Sequence, residues 1–432
     1  MLKRAGRAVR HLAVDIAPLR QSYDFRLLWS GELVSLVGRQ ITVVAVAFSM
    51  FELTHSSVAV GLVGVAQFVP YVAMSLVGGT IVDAVDRRRL LIVTQLLLAT
   101  GSAVLLAAAW FGFMSAWLLY VVAAAISAAA AVDLPTQASI VPNLVRREHL
   151  TAAVALGFTQ FQASIVVGPA IGGVVIAALG LPAAFAIDVL TFAATILAAL
   201  AISPQPPAEK HDESPLRSMI EGFRYVRRQE AIMGGFAIDL NAMIFGMPRA
   251  LFPALAAATY HVGPQGLGLL YAAPGVGAVL GSLLSGFVAR VRHQGRAVVI
   301  AAAGWALAIG LVGLATFAFW LALLLLAIAG ACDIISAVAR NTILQTTTPD
   351  RLRGRASAAN SMVVVGGPFL GDVRAGTLGQ LVSPQFSIVA GSVVCLALCG
   401  VLARAFPSLW RYHADVAPLV PPTVAAVDRE PI

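Results

Sequence analysis

Ten ionisable side chains stand inside long apolar stretches of this sequence: Glu32, Arg39, Asp133, Asp188, Asp239, Arg249, Asp333, Arg340, Asp372 and Arg374. A charge in hydrocarbon costs a few kcal/mol on insertion scales, so such residues face a cavity or each other and mark a path for protons or polar solutes. Acids that protonate and deprotonate as a cavity opens to alternate sides would couple proton flow to solute movement. Asp333 and Asp239 are the first candidates for that role. Arg39 suits an anionic substrate group, or the part of partner to an acid. A structural reading competes: Glu32 with Arg39, and Asp333 with Arg340, are spaced i, i+7 and would pair with each other or across helices to fix packing.

The stretches that carry these charges define the fold. Of 432 residues, 59% are hydrophobic and 12% charged, against roughly 25% charged in a soluble domain, which excludes a soluble globular enzyme. A spanning helix needs about 20 mostly apolar residues, and twelve such runs occur, near 27–53, 58–82, 90–111, 115–138, 152–179, 183–202, 231–257, 265–289, 297–318, 321–344, 356–381 and 385–405. They are continuously apolar rather than alternating, which excludes a closed β-barrel. The expected fold is an all-α polytopic membrane protein of twelve transmembrane helices in two six-helix bundles. Seven of the ten charges then fall on helices 1, 4, 7 and 10, with Asp188 on helix 6 and Asp372 and Arg374 on helix 11. At 1.5 Å per residue, Arg39, Asp239, Asp333 and Asp372 lie in the middle third of their spans, and Asp133 and Arg340 nearer the cytoplasmic ends.

Orientation follows from the basic residues. The turns Thr54–Ser57, Gly112–Met114, Gly180–Pro182, Thr259–Pro264, Phe319–Trp320 and Val382–Pro384 hold no Lys or Arg. Of 29 basic residues, four lie within spans and the other 25 lie on the opposite side, which the positive-inside rule makes cytoplasmic, with both termini inside. The net charge of +8 is thus a membrane signature rather than a nucleic-acid one. The expected divisions are a cytoplasmic N-tail 1–26, a bundle 27–202, a linker 203–230, a second bundle 231–405 and a C-tail 406–432. The linker opens Pro-rich and polar, then becomes a basic amphipathic helix with Leu216, Met219, Ile220 and Phe223 on one face. An internal repeat supports the division: Gly64 and Pro70 recur as Gly268 and Pro274 at an offset of 204, and Leu150 as Leu352 at 202. Parallel repeats of this kind imply two bundles facing each other across a midplane cavity. Cys332, Cys395 and Cys399 lie in apolar stretches without metal-ligand spacing.

At the end of helix 2 stands Gly79-Thr80-Ile81-Val82-Asp83-Ala84-Val85-Asp86-Arg87-Arg88-Arg89. This resembles the signature loop of the major facilitator superfamily, with Ala84 where a basic residue is usual and Asp86 where Gly is usual. The resemblance implies that Gly79, Asp83, Asp86 and Arg87 belong to a gating loop, with Asp83 meeting the N-terminus of helix 11, a favourable place for a carboxylate. Arg88 and Arg89 suit a solvated helix end. Helix 5 carries Gly168-Pro169-Ala170-Ile171-Gly172-Gly173, similar to the exporter motif of that superfamily, with Ala155 and Ser164 replacing upstream glycines. Close packing alone would also account for it, and Gly277, Gly281 and Gly286 of helix 8 are read as packing. Phe252-Pro253-Ala254-Leu255-Ala256, Gly268 through Ala278, Leu344 through Pro349 with Gly354-Arg355, and Gly222-Phe223-Arg224 resemble the bacterial enterobactin (siderophore) exporter branch.

That resemblance implies a secondary active exporter in the bacterial cytoplasmic (inner) membrane, exchanging protons for a siderophore or other amphipathic small molecule by alternating access. A broad-specificity multidrug pump of the same fold is the alternative, and a polytopic membrane enzyme the remote one. Against the enzyme, all seven histidines fall in tails, turns or loops, and no Walker-type phosphate loop occurs. The expected partners are a small-molecule substrate, protons and the lipid bilayer, with no nucleic acid, no cofactor and no metal, in a monomer.

Overall fold

The computed structural model describes residues 15–206, 215–283 and 291–413, which form helices and turns with no strand among them. The long helices are α1 Tyr23–Thr54, α2 Ser57–Ala84, α3 Arg87–Phe111, α4 Ala116–Leu144, α5 Leu150–Leu179, α6 Leu181–Ala201, α7 Glu230–Thr259, α8 Gly263–Ser282, α9 Gln294–Leu314, α10 Phe319–Thr347, α11 Asp350–Leu381 and α12 Pro384–Ala405. A linker helix, Pro215–Arg228, precedes α7. Ten of the long helices are long and apolar enough to cross a membrane; α8 and α11 are not among them. Charge explains α11, which carries Asp350, Arg351, Arg353, Arg355, Asp372 and Arg374. Glycines and two prolines dilute α8, and the rest of its expected run, 283–289, reaches beyond the described residues.

Local chemistry sets the ends. Ser22, Ser56, Ser115 and Ser383 cap α1, α2, α4 and α12, each accepting from the N–H three residues on, worth about 0.5–2 kcal/mol per cap. Gly112 and Gly180 close α3 and α5 at φ 74° and 84°, backbone that a side chain would strain. Pro182, Pro264 and Pro384 start the next helices, where a missing N–H is harmless. The expected turn at Phe319–Trp320 is displaced: α9 stops at Leu314 and both aromatics already belong to α10.

Helix pairing repeats along the chain. Among the first six helices α1 packs on α5 and α6, α2 on α4, and α3 on α4 and α6; among the last six the same pairs recur with each number raised by six. Across the two sets, α2 packs on α11 and α5 on α8. These crossings are closest toward the odd-to-even turns. A Cβ on Gly61 would stand 2.5 Å from Asp372 O, one on Gly376 2.3 Å from Ser57 O, and one on Gly268 2.4 Å from Pro169 O. Ser57 N–H also donates to Gln380 Oε1 at 3.0 Å. At mid-depth the Phe68 and Phe369 rings meet at 5.8 Å.

The linker helix docks on the even-to-odd side. Gly222 lies against the Arg355 backbone, Glu221 pairs with Arg355, Tyr225 Oη donates to Thr347 O, and Val226 is buried. The side chains of Leu216, Met219 and Ile220 lie outside the described residues, as does most of the expected N-tail.

Candidate functional site

Asp133 on α4 is buried and accepts four hydrogen bonds. Thr94 Oγ1 and Gln95 Nε2 of α3 donate to Oδ1 at 2.7 and 2.9 Å, and Gln137 Nε2, one turn along α4, donates to Oδ2 at 2.9 Å. Arg39 Nη1 of α1 completes the set on Oδ2 at 3.4 Å. Arg39 Nε and Nη2 are buried without a partner among the described residues, which leaves most of a guanidinium fork for another acceptor. Glu32 lies two turns before Arg39 on the same face of α1, half-buried, and makes no hydrogen bond or ion pair among the described residues.

The second half carries a counterpart. Arg340 on α10 is ion-paired to Asp239 on α7, both side chains buried, and Arg340 Nη1 donates to Ser336 Oγ at 3.4 Å. Asp239 Oδ2 has no hydrogen-bond partner among the described residues. Asp333 stands two turns before Arg340 on the same face, exposed, and with no hydrogen bond or ion pair among the described residues. At about 100° per residue, Asp333 points well away from the exposed apolar stripe Leu321, Leu324 and Ile328, hence away from the lipid-type face of α10. In both halves, then, an arginine holds a buried aspartate from a neighbouring helix, and an unpaired acid stands seven residues before it. Pairing between Glu32 and Arg39, or between Asp333 and Arg340, is not what the structure shows: both bridges run between helices.

Arg249 and Asp372 stand apart from this set. Arg249 Nη2 donates to Asp372 Oδ2 at 2.9 Å, and Ala250 N–H donates to Oδ1 at 3.2 Å. Because α11 begins at Asp350, earlier than expected, Asp372 falls in its last third rather than its middle. The pair therefore belongs to the α2–α11 crossing beside Gly61. Arg374 is explained by a break in α7: the α-helix stops at Gly246, before Pro248, and resumes through a 3₁₀ turn and a π-helical turn. Arg374 donates to the stranded carbonyls of Ile244 and Phe245, both at 2.9 Å, and to Ser387 O at 3.1 Å. Asp188 is buried between α1, α3 and α6, its Oδ2 accepting from Thr42 and Ser102 hydroxyls, both at 2.6 Å.

In the last turn of α2, Asp83 is exposed and makes no hydrogen bond or ion pair among the described residues, to α11 or elsewhere. Asp86 caps α3 through Arg89 N–H at 3.0 Å. Arg87 Nη1 donates to Ser139 O at 3.3 Å, and its N–H to Gln205 O at 2.9 Å. Arg88, expected to be merely solvated, donates to Ala199 and Leu200 carbonyls at the end of α6. Gly79 lies within α2. On α5, Gly168 and Gly172 face α1, where a Cβ would stand 2.4 Å from Gln40 Cβ and 3.1 Å from Ile41 Cα; Gly173 faces Gly268 of α8. That motif is the point where α1, α5 and α8 cross.

Sequence reasoning missed Thr94, Gln95 and Gln137 as the supports of Asp133, although the i, i+4 spacing of Asp133 and Gln137 was visible. The Pro248 break could likewise have pointed to a cation serving free carbonyls.

The description transmembrane secretion effector belongs to the family model that matches residues 13–427. An enterobactin exporter of Shigella boydii is 28% identical over 425 residues, covering 96% of this chain and 98% of that protein. One of Citrobacter koseri is 28% identical over 405 residues, covering 90% and 95%. In fold, the chain is similar to a nucleoside transporter (TM-score 0.72, 15% identity, covering 90% of this chain and 100% of that one). It is also similar to a bacterial homolog of the human lysosomal transporter Spinster, captured inward-facing and unoccupied (TM-score 0.70, 15% identity, covering 90% and 98%).

Proposed function

The chain belongs to the transmembrane secretion effector family, hence is a multi-pass membrane transporter and not an enzyme, and from that premise we propose that it is a proton-coupled exporter. Its cargo is a siderophore or other amphipathic small molecule, exchanged for protons by alternating access. The observation that carries this reading is the repeated arrangement of Arg39 with Asp133 and Glu32, and of Arg340 with Asp239 and Asp333. Asp133 and Asp239 are tied to arginines, whereas the unpaired carboxylates, Glu32 and Asp333, are free to bind and release protons. Arg39, with Nε and Nη2 unpartnered, receives an anionic group of the substrate.

The remaining architecture belongs to this reading: twelve spans in two six-helix bundles, 27–202 and 231–405, joined by the linker 203–230, with tails 1–26 and 406–432 in the cytoplasm of a bacterium. The recurrence of helix pairs supports the two bundles, and the chain works as a monomer. With the odd-to-even turns outside, the α2–α11 and α5–α8 crossings close the outer side, and the present conformation loads from the cytoplasm. Asp83 engages α11 only when the molecule opens outward.

Purified protein in liposomes, offered a catecholate siderophore and a lipophilic cation in parallel, tests the proposal. Substrate movement is expected to follow an imposed pH gradient and to stop when a protonophore dissipates it. Asp333→Asn and Glu32→Gln should each abolish gradient-driven transport while leaving expression intact. Transport indifferent to the gradient would end the coupling proposal, and transport of the cation alone would replace the siderophore with a drug-like cargo.

A further inference from the structure

The start of α9 and the segment after α12 converge on a cluster of cations. Gly295 lies against the backbone of Leu409, where a Cβ would fall 1.6 Å from its carbonyl oxygen, and Tyr412 Oη meets Thr346 Oγ1 at 2.7 Å. Ser408 is tied to Glu230 at the start of α7, its Oγ donating to Oε2 at 2.6 Å. This docking brings Arg292, His293 and Arg296 beside Trp410 and His413, with Arg411 lying between those two in the chain. The His293 and His413 rings stand 4.4 Å apart, and the Arg296 guanidinium lies 5.5 Å over the Trp410 ring. Arg292, Arg296 and Arg411 are exposed, and none pairs with a carboxylate among the described residues. His293 is held below the ordinary imidazole value, by desolvation and then by His413, Arg296 and Arg292, as expected where positive charge goes unneutralised.

What lies beside this cluster identifies its ligand. The exposed residues of α9 are Arg296, Ile300, Leu307, Leu311 and Leu314, which at about 100° per residue fall within one narrow stripe. The helix packs chiefly on α7, α10 and α12, and no α1–α6 helix packs on it closely, so this stripe faces the hydrocarbon. A cationic group with an exposed Trp at one end of an apolar, outward stripe matches a phospholipid in one leaflet, phosphate on the arginines and acyl chain along the leucines. We propose that Arg292, Arg296 and Arg411, with Trp410, form a site for an anionic phospholipid headgroup in the leaflet on the side of the chain termini. The lipid would bridge the start of α9 to the segment after α12 and so hold the ends of α7, α9 and α10 together.

Native mass spectrometry of the full chain in detergent tests this with phosphatidylglycerol, phosphatidylcholine or inorganic phosphate added. Phosphatidylglycerol is expected to remain bound where phosphatidylcholine does not, and to be lost roughly fivefold per arginine removed in Arg296→Gln, Arg411→Gln and the double variant. Melting of each variant without added lipid should match the parent. Should a variant misfold, Trp410→Phe with brominated phosphatidylglycerol gives the same answer, since quenching of the parent's fluorescence should exceed that of the variant. Equal retention of both lipids, retention unchanged in the double variant, or protection by inorganic phosphate as strong as by the lipid would each overturn the proposal. None of these readouts depends on proton coupling or on cargo.

Discussion

At the scale of single residues, charged side chains inside the spans divide by what holds them. Asp133 takes donors from α1, α3 and α4, and Asp188 two hydroxyls from α1 and α3, so both tie helices together, whereas Glu32 and Asp333 are unpaired among the described residues. Breaking one side of a buried ion pair costs about 3–5 kcal/mol. Asp133→Leu is therefore expected to lower the thermal midpoint in detergent clearly, since it strands Arg39, Thr94, Gln95 and Gln137 at once. Asp333→Asn should melt with the parent, because nothing in the structure depends on its charge. Equal melting of Asp133→Leu and parent would remove the anchoring role of that carboxylate. The i, i+7 spacings of Glu32 with Arg39 and of Asp333 with Arg340 were legible in the sequence. Their interhelical partners were not, because spacing fixes which face a residue occupies and says nothing of the helix opposite.

Among the helices, α7 and the α2–α11 crossing matter most. The break at Gly246–Pro248 frees carbonyls that have no water to turn to, and Arg374 takes them, so Arg374 serves the backbone. At the crossing, Gly61 lets α2 touch the Asp372 backbone at 2.5 Å of a would-be Cβ. Gly61→Val is expected to wedge this crossing open. A reporter cysteine at Phe369, in a chain freed of Cys332, Cys395 and Cys399, should then react several-fold faster with a membrane-impermeant maleimide from outside. An unchanged rate would mean that closure of this side does not rest on that contact. Helix existence was readable from apolar run length, ten of the described helices being long and apolar enough to cross a membrane, and the errors sit at ends: α11 starts six residues before its expected 356, because the run was sought by apolarity and its first turns are basic.

For the whole molecule, orientation in the membrane is the property that matters for transport. Phe113→Cys, in the turn between α3 and α4, should be labelled by an impermeant reagent on intact cells, while Ser203→Cys after α6 should react only after permeabilisation; the reverse pattern would invert the topology. By itself the sequence determined that the chain is a helical membrane protein, which apolar runs carry charge, and that residues early in the chain recur later at offsets of 204 and 202. Apolar length, charge asymmetry and glycine spacing are one-dimensional quantities and survive without coordinates. Only the tertiary structure decided which carboxylate meets which arginine, that Asp83 makes no hydrogen bond or ion pair with α11 among the described residues, and that the α2–α11 and α5–α8 crossings are closest toward the odd-to-even turns. Those are relations between helices far apart in the chain, set by which small residues let two backbones approach, and no local pattern encodes them.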